Sequence, residues 1–401
     1  LALGHVLASP DIDFLCSATS YRYRQLGGEG TSHFMSLLGS VKAHGKLWFN
    51  ENDIRTSLAP GKVGSWGKPE TIAGDILQQD KELANAIANG AAQWWFDVGR
   101  NRYDDDMLMQ RIAALNKAAD SVIPSDRSWV DDVALVVDEK SLCYLKVGDP
   151  LGRELLIDQL PSLHRIGAAA GHYLAGDLAR LTRHKLLLFT TSFAPDAGQR
   201  QAIDTLKGNG RVLVFCHAQG LYQGGQIAPE GMSSFTGIQL KLATGPHNAT
   251  VTLNGNHPLT RGVSPMTFGP SPERSLNPLA YADDPDATVL GTLPNGVPGL
   301  VIKRFPDWTA VHCAVPKLPL PILQRLAGLA GVHRYIDTAD VVWAARDLVS
   351  VCVKEPGSRA ITLPNARKVR DLYTGEPVAD SPVKVFRATF VDRATRVFML
   401  E

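Results

Sequence analysis

The sequence predicts an α/β protein in three blocks. Three observations carry that reading. Strand-like segments alternate with helical patterns from residue 13 to 119. In the middle, Val133–Asp138, Lys185–Phe189 and Arg211–Phe215 are continuous apolar runs, as in a parallel sheet covered on each side. From about residue 346 only short alternating runs occur, split by turn residues. The 401 residues suffice for two or three domains. Charge is nearly balanced, 41 Lys+Arg against 40 Asp+Glu, which excludes a broad electrostatic footprint for nucleic acid. No run of about 18 apolar residues exists to form a membrane-spanning helix, so neither a membrane nor a nucleic-acid partner is expected.

Block one, residues 1–125, has three strand candidates. They are Asp13–Tyr21, Gly45–Asp53 and Ala91–Asp97. Between and after them, His33–Ala43, Thr71–Asn89 and Met107–Ala119 carry apolar residues at helical spacing. Gly90 suits the end of the second helix, and Asp104, Asp105 and Asp106 suit the start of the third. Strands alternating with helices imply parallel strands joined by crossover helices. Block two, residues 130–345, reads as a doubly wound α/β domain. Leu151–Ala170 and Asp196–Lys207 are its predicted helices, residues 225–300 read as loops and hairpins, and Thr309–Val315 and Leu318–Ala330 return to strand and helix. Block three, residues 346–401, reads as a small antiparallel β domain.

The five cysteines are scattered and show no metal-ligand spacing, so no disulfide framework, metal or cofactor is expected. A reducing, cytoplasmic setting follows from the same count. Asn248-Ala249-Thr250 fits a glycosylation sequon, a weak signal alone.

The stretch Trp48-Phe49-Asn50-Glu51-Asn52-Asp53-Ile54-Arg55 carries the chemistry. A carboxylate at the carboxyl end of an apolar strand stands where barrel enzymes place catalytic groups. Trp48 and Trp94-Trp95 offer flat faces for a sugar ring, and Asn50, Asn52 and Arg55 offer donors to hydroxyls or to a carboxylate. Retaining glycoside hydrolysis needs a nucleophilic carboxylate and a second acid/base carboxylate. Glu51 is a nucleophile by position. The bland alternative is that Glu51 ends a strand and pairs with Arg55.

Three segments resemble glycoside hydrolase family 42, clan A β-galactosidases with a trimerisation domain. They are Asp13–Tyr21, then His44–Thr56, then Gln93-Trp94-Trp95-Phe96-Asp97. The resemblance implies that block one is the last three units of a partial (β/α)8 (TIM) barrel. It makes Glu51, at the end of strand seven, the retaining nucleophile. Tyr21 matches the tyrosine that bonds the nucleophile, and Arg24, Trp48, Asn50, Arg55, Trp95 and Asp97 join it as substrate-binding candidates. Val133–Ser141 and Asn256–Gly262 resemble the family's flavodoxin-like, glutamine-amidotransferase-like trimerisation domain, and the tail its small β domain. An oligosaccharide or galactoside-like substrate and a homotrimer are implied. A full barrel takes about 250 residues, and block one supplies about half of that. The acid/base glutamate of such barrels ends strand four, so it is expected outside this chain, on a missing half-barrel. The chain is therefore expected to be the C-terminal portion of a longer enzyme.

Two rival readings remain. One is a non-catalytic oligomerisation or carbohydrate-binding fragment. The other is an amidotransferase-like enzyme with Cys216-His217 at a strand end, although Phe215 stands where that chemistry wants glycine.

Overall fold

Polar-ended strands follow one another through the first 100 residues of the computed structural model, which describes residues 2–97, 99, 101–270 and 274–401. Strands β1 (Phe14–Ala18), β2 (Leu47–Asn52) and β3 (Ala92–Trp95) form one parallel sheet in sequential order. Helices α1 (Leu38–Ala43), α2 (Ile72–Ala88) and α3 (Asp106–Ser121) accompany them. The Thr71 hydroxyl caps α2 on the Gly74 N–H at 3.2 Å, and the Asp105 carboxylate caps α3 on the Leu108 N–H at 3.0 Å. The helix expected from His33 begins only at Leu38, because Phe34 forms an antiparallel bridge with Thr19.

The chain divides into two compact units. One comprises Leu1–Ala8, Asp132–Leu163 and Gly171–Val332, the other Ser9–Asp131, His164–Ala170 and His333–Glu401. The three-stranded sheet and the C-terminal strands thus share a unit.

In the middle unit, β4 (Val133–Val137), β5 (Ala170–Leu174), β6 (Leu186–Phe189), β7 (Arg211–Cys216) and β8 (Trp308–Cys313) stand in the spatial order β5-β4-β6-β7-β8. The β4–β6, β6–β7 and β7–β8 pairings are parallel. That is the 2-1-3-4-5 order of flavodoxin-like sheets. Helix α4 (Ala197–Leu206) opens on a capping box between Asp196 and Gln199. Within the stretch expected as loops and hairpins, Val251–Leu253, Thr288–Thr292 and Pro298–Arg304 extend this sheet antiparallel beyond β8.

The single helix expected over Leu151–Ala170 is broken into Pro150–Leu156 and Leu160–Leu163, and Ala170 already opens β5. Pro161 lacks the N–H that a continuous helix would use. Gly167 adopts φ +86°, and a Cβ there would lie 2.1 Å from the Ile336 carbonyl oxygen.

The C-terminal strands are β9 (Val341–Ala345), β10 (Leu348–Cys352), β11 (Gly357–Asp371), β12 (Pro377–Phe390) and β13 (Thr395–Leu400), in the order β9-β10-β13-β11-β12. Leu83 and Ile87 of α2 and Leu115 of α3 share a core with Trp343, Leu348, Val397 and Met399 of these strands. Each such side chain contributes roughly 1.5–3 kcal/mol when fully buried. This packing fixes α2 behind β1–β3. Among the described residues no helix is long and apolar enough to cross a membrane.

Two buried histidines give the middle unit a pH dependence. Burial pushes His217 and His312 down from 6.5 to about 4. A group whose folded value lies below its unfolded one stabilises fully above the unfolded value and loses that contribution as pH falls toward the folded one. Calorimetry from pH 7 to pH 4.5 should therefore show this unit losing on the order of a few kcal/mol below pH 6.5. Replacing both histidines with Gln should flatten that slope, and an unchanged slope contradicts the assignment.

Candidate active site

Strand alternation decides which side chains can meet. Register sets Glu51 of β2 between Ala18 of β1 and Trp94 of β3. Phe49 and Leu47 follow Glu51 on one face. Trp48, Asn50 and Asn52 take the other face, with Gln93 and Trp95. There α2 covers them: the Trp95 indole N–H donates to Gln79 Oε1 at 2.9 Å, as does the Asn52 amide at 2.6 Å. Asn50 is fully buried and its amide donates to Gln93 at 3.0 Å. Trp48 is 3% exposed and packs edge-on against Phe34. The period of two therefore separates Trp48, Asn50 and Trp95 from Glu51 and leaves Trp94 as its aromatic neighbour.

Arg24 organises the groups around Glu51. Its side chain is 1% exposed, and Nη1 donates to Asp53 Oδ1 at 2.7 Å. Its Nε donates to the Trp66 carbonyl at 2.9 Å, and the guanidinium lies 4.6 Å from the Tyr21 ring centroid. Trp66 sits at φ +54°, a rare conformation for a bulky residue, and is half exposed. Tyr21 and Trp66 rings lie 5.7 Å apart. Arg55 does not pair with Glu51; its guanidinium stacks 3.8 Å from the Trp66 centroid. The Tyr21 phenol feels Asp53 more strongly than the predicted partner Glu51. Asp97 lies exposed just past β3.

The electrostatics follow from that packing. Burial first, and the neighbouring Asp53 charge second, raise the Glu51 carboxyl above the usual glutamate value. Burial, then Asp53, raise the Tyr21 phenol. Burial also raises Tyr103, whose hydroxyl donates to the Asn52 carbonyl at 3.2 Å.

Behind the site, α2 presents a buried polar row. Gln78 and Lys81 donate to the Arg24 carbonyl at 2.8 and 3.2 Å. Glu82 accepts from Ser32 at 2.5 Å, from Thr19 at 3.2 Å and from Gln78 at 2.8 Å. Burial raises the Glu82 carboxyl and lowers Lys81. These bonds hold the 19–32 segment that carries Tyr21 and Arg24.

Trp66 and Tyr103 escaped the sequence reading. The only local signal was Gly64-Ser65-Trp66-Gly67, an aromatic residue among glycines in a loop. Cys216, the amidotransferase candidate, is enclosed at the end of β7, and burial pushes its thiol well up, which leaves no thiolate for attack. Among the described residues no cluster of three His, Cys, Asp or Glu is placed to hold a metal.

No family model matches the sequence, and no curated protein matches it. Solved structures do share its fold. The β-galactosidase from Bacillus circulans sp. alkalophilus aligns over 98% of this chain and 64% of its own, with 13% identity and a TM-score of 0.64. Gan42B, a GH42 β-galactosidase from G. stearothermophilus, aligns over 81% of this chain and 50% of its own, with 14% identity and a TM-score of 0.55. An α-L-fucosidase isoenzyme from Paenibacillus thiaminolyticus aligns over 94% of this chain and 64% of its own, with 13% identity and a TM-score of 0.57. The chain thus has a mixed α/β fold like that of GH42 β-galactosidases. It spans from half to just under two thirds of the length of these three proteins.

Proposed function

We propose that this chain carries the nucleophile side of a retaining, β-galactosidase-like glycoside hydrolase. The observation that carries the reading is Glu51. It ends the middle of three parallel strands, faces Trp94, and stands at the edge where Tyr21, Trp66 and Asp53 gather. A carboxylate there attacks the anomeric carbon and forms a glycosyl ester that water then cleaves. Asp53, held by Arg24, positions the Tyr21 phenol beside it. β1–β3 correspond in this reading to the last three strands of a (β/α)8 barrel, and the acid/base carboxylate belongs to a part of the barrel outside these residues. Asp97 serves as a ligand contact. The middle unit mediates a homotrimer, for which light scattering must give three times the monomer mass.

The free-enzyme pH profile tests the assignment. A nucleophile must be ionised, so the acidic limb of kcat/KM on an aryl β-galactoside should lie above 4.5, the ordinary glutamate value. Asp53→Asn removes a charge that raises Glu51, so the limb should move down. A limb indifferent to Asp53 would sink the assignment. The alternative of a carbohydrate-binding fragment predicts sugar binding with no turnover on any aryl glycoside.

A further inference from the structure

The arginines at the carboxyl edge of β1–β3 are not equally engaged. Arg24 is committed to Asp53 at 2.7 Å. Arg55 has no carboxylate or carbonyl partner among the described residues, and its guanidinium is held by the Trp66 ring at 3.8 Å. Stacking uses the flat face of a guanidinium and leaves its N–H donors free at the edge.

The surroundings shape Arg55 for a ligand. Trp66 takes a backbone conformation rare for its size, and its carbonyl is fixed by Arg24. Its indole therefore presents Arg55 in a set orientation. Gly61, at φ +110°, passes close by: a Cβ there would lie 3.4 Å from Arg55 Nη1. The one acidic neighbour of the Tyr21–Trp66 pair with a settled partner, Asp53, is neutralised by Arg24. Arg55 thus stands at this edge with no ion pair among the described residues, to Glu51 or to any other carboxylate. A half-buried cation in that state is best satisfied by an anion, and a guanidinium fork matches a carboxylate or a sulfate oxygen pair.

We propose that the sugar bound beside Glu51 is acidic, and that its carboxylate or sulfate ester is received by Arg55. This deepens the hydrolase reading and rests on it for the sugar. The anionic group itself rests on Arg55. In place of a neutral galactoside, the site would select a galactoside carrying a negative group.

Calorimetric titration of the whole chain with D-galactose, D-galacturonate and D-galactose 6-sulfate tests this. At low salt, one or both acidic sugars should bind about tenfold or more tighter than galactose, as expected for a charge-assisted pair. The preference should shrink as salt is raised. Arg55→Met should bring the acidic sugars down to the level of galactose. Arg55→Lys keeps the charge but loses the fork and the stack, and should retain part of the preference. Which acidic sugar binds tighter identifies the group as carboxylate or sulfate. Equal binding of all three, or a preference that survives Arg55→Met, overturns the proposal. Turnover of a neutral aryl galactoside that needs Glu51, without any charge preference, overturns it while the hydrolase reading stands. An Arg55-dependent preference with Glu51→Gln leaving turnover intact does the reverse.

Discussion

Glu51→Gln should reduce the release of dinitrophenolate from a dinitrophenyl β-galactoside by more than the roughly 10²–10⁴-fold that one positioned acid or base supplies. The choice of substrate matters. Dinitrophenolate leaves without protonation, so the first step needs the nucleophile alone. A chain whose acid/base lies elsewhere can still form the glycosyl ester on such a substrate. The introduced glutamine amide keeps the volume and hydrogen-bonding reach of the carboxylate but cannot form that ester. Glu51 is half-buried at a strand end and holds no ion pair with Arg55, so the substitution should leave the melting temperature nearly unchanged. A variant that retains the wild-type rate would remove Glu51 from the mechanism.

Arg24→Met should be the costliest single substitution in the unit that holds the site. Arg24 is 1% exposed and bridges Asp53, the Trp66 carbonyl and the Tyr21 ring. Met fills the stem but strands the Asp53 carboxylate, whose side chain is 12% exposed. Breaking one side of a buried pair costs about 3–5 kcal/mol. Denaturant unfolding should show a loss of that order. Adding Asp53→Asn should recover part of it, because removing both partners leaves less buried charge without a partner. A loss within about 0.5 kcal/mol, the range of ordinary surface changes, would mean that Arg24 is not the hub described.

Much of this fold was legible because its strands are short, apolar and polar-ended. β2 and β4 fall within a residue or two of the segments the sequence predicts, and Thr71 and Asp105 mark helix starts in the expected way. One failure has physical causes. The run from Leu151 to Ala170 has helical spacing, yet Pro161 and the close approach of Gly167 to the Ile336 carbonyl break it. Ile336 is far away in sequence, so no local pattern announces that contact. The strands between 225 and 300 are mostly two to five residues long, and some join the sheet beyond β8 while others pair in separate two-stranded sheets.

At the site, position was legible and direction was not. The sequence marks Glu51 as ending a strand. Trp48, Asn50 and Trp95 are adjacent to it or paired near it, but alternation sends them under α2. Applying the period of two to β2 would have kept Trp94 and set Trp48 and Asn50 aside. Trp66 reaches the site through loop geometry, its backbone at a positive φ and its carbonyl held by Arg24.

The central claim is that Glu51 becomes glycosylated. The most direct measurement is the mass of the protein after incubation with a 2-deoxy-2-fluoro dinitrophenyl β-galactoside, followed by peptide mapping. The fluorine slows both steps, and the good leaving group keeps the first one fast enough for the ester to accumulate. One fluorosugar per chain on the peptide containing Glu51, and none in Glu51→Gln, is the predicted result. A label on a different carboxylate, or no label while dinitrophenolate is still released, would contradict it.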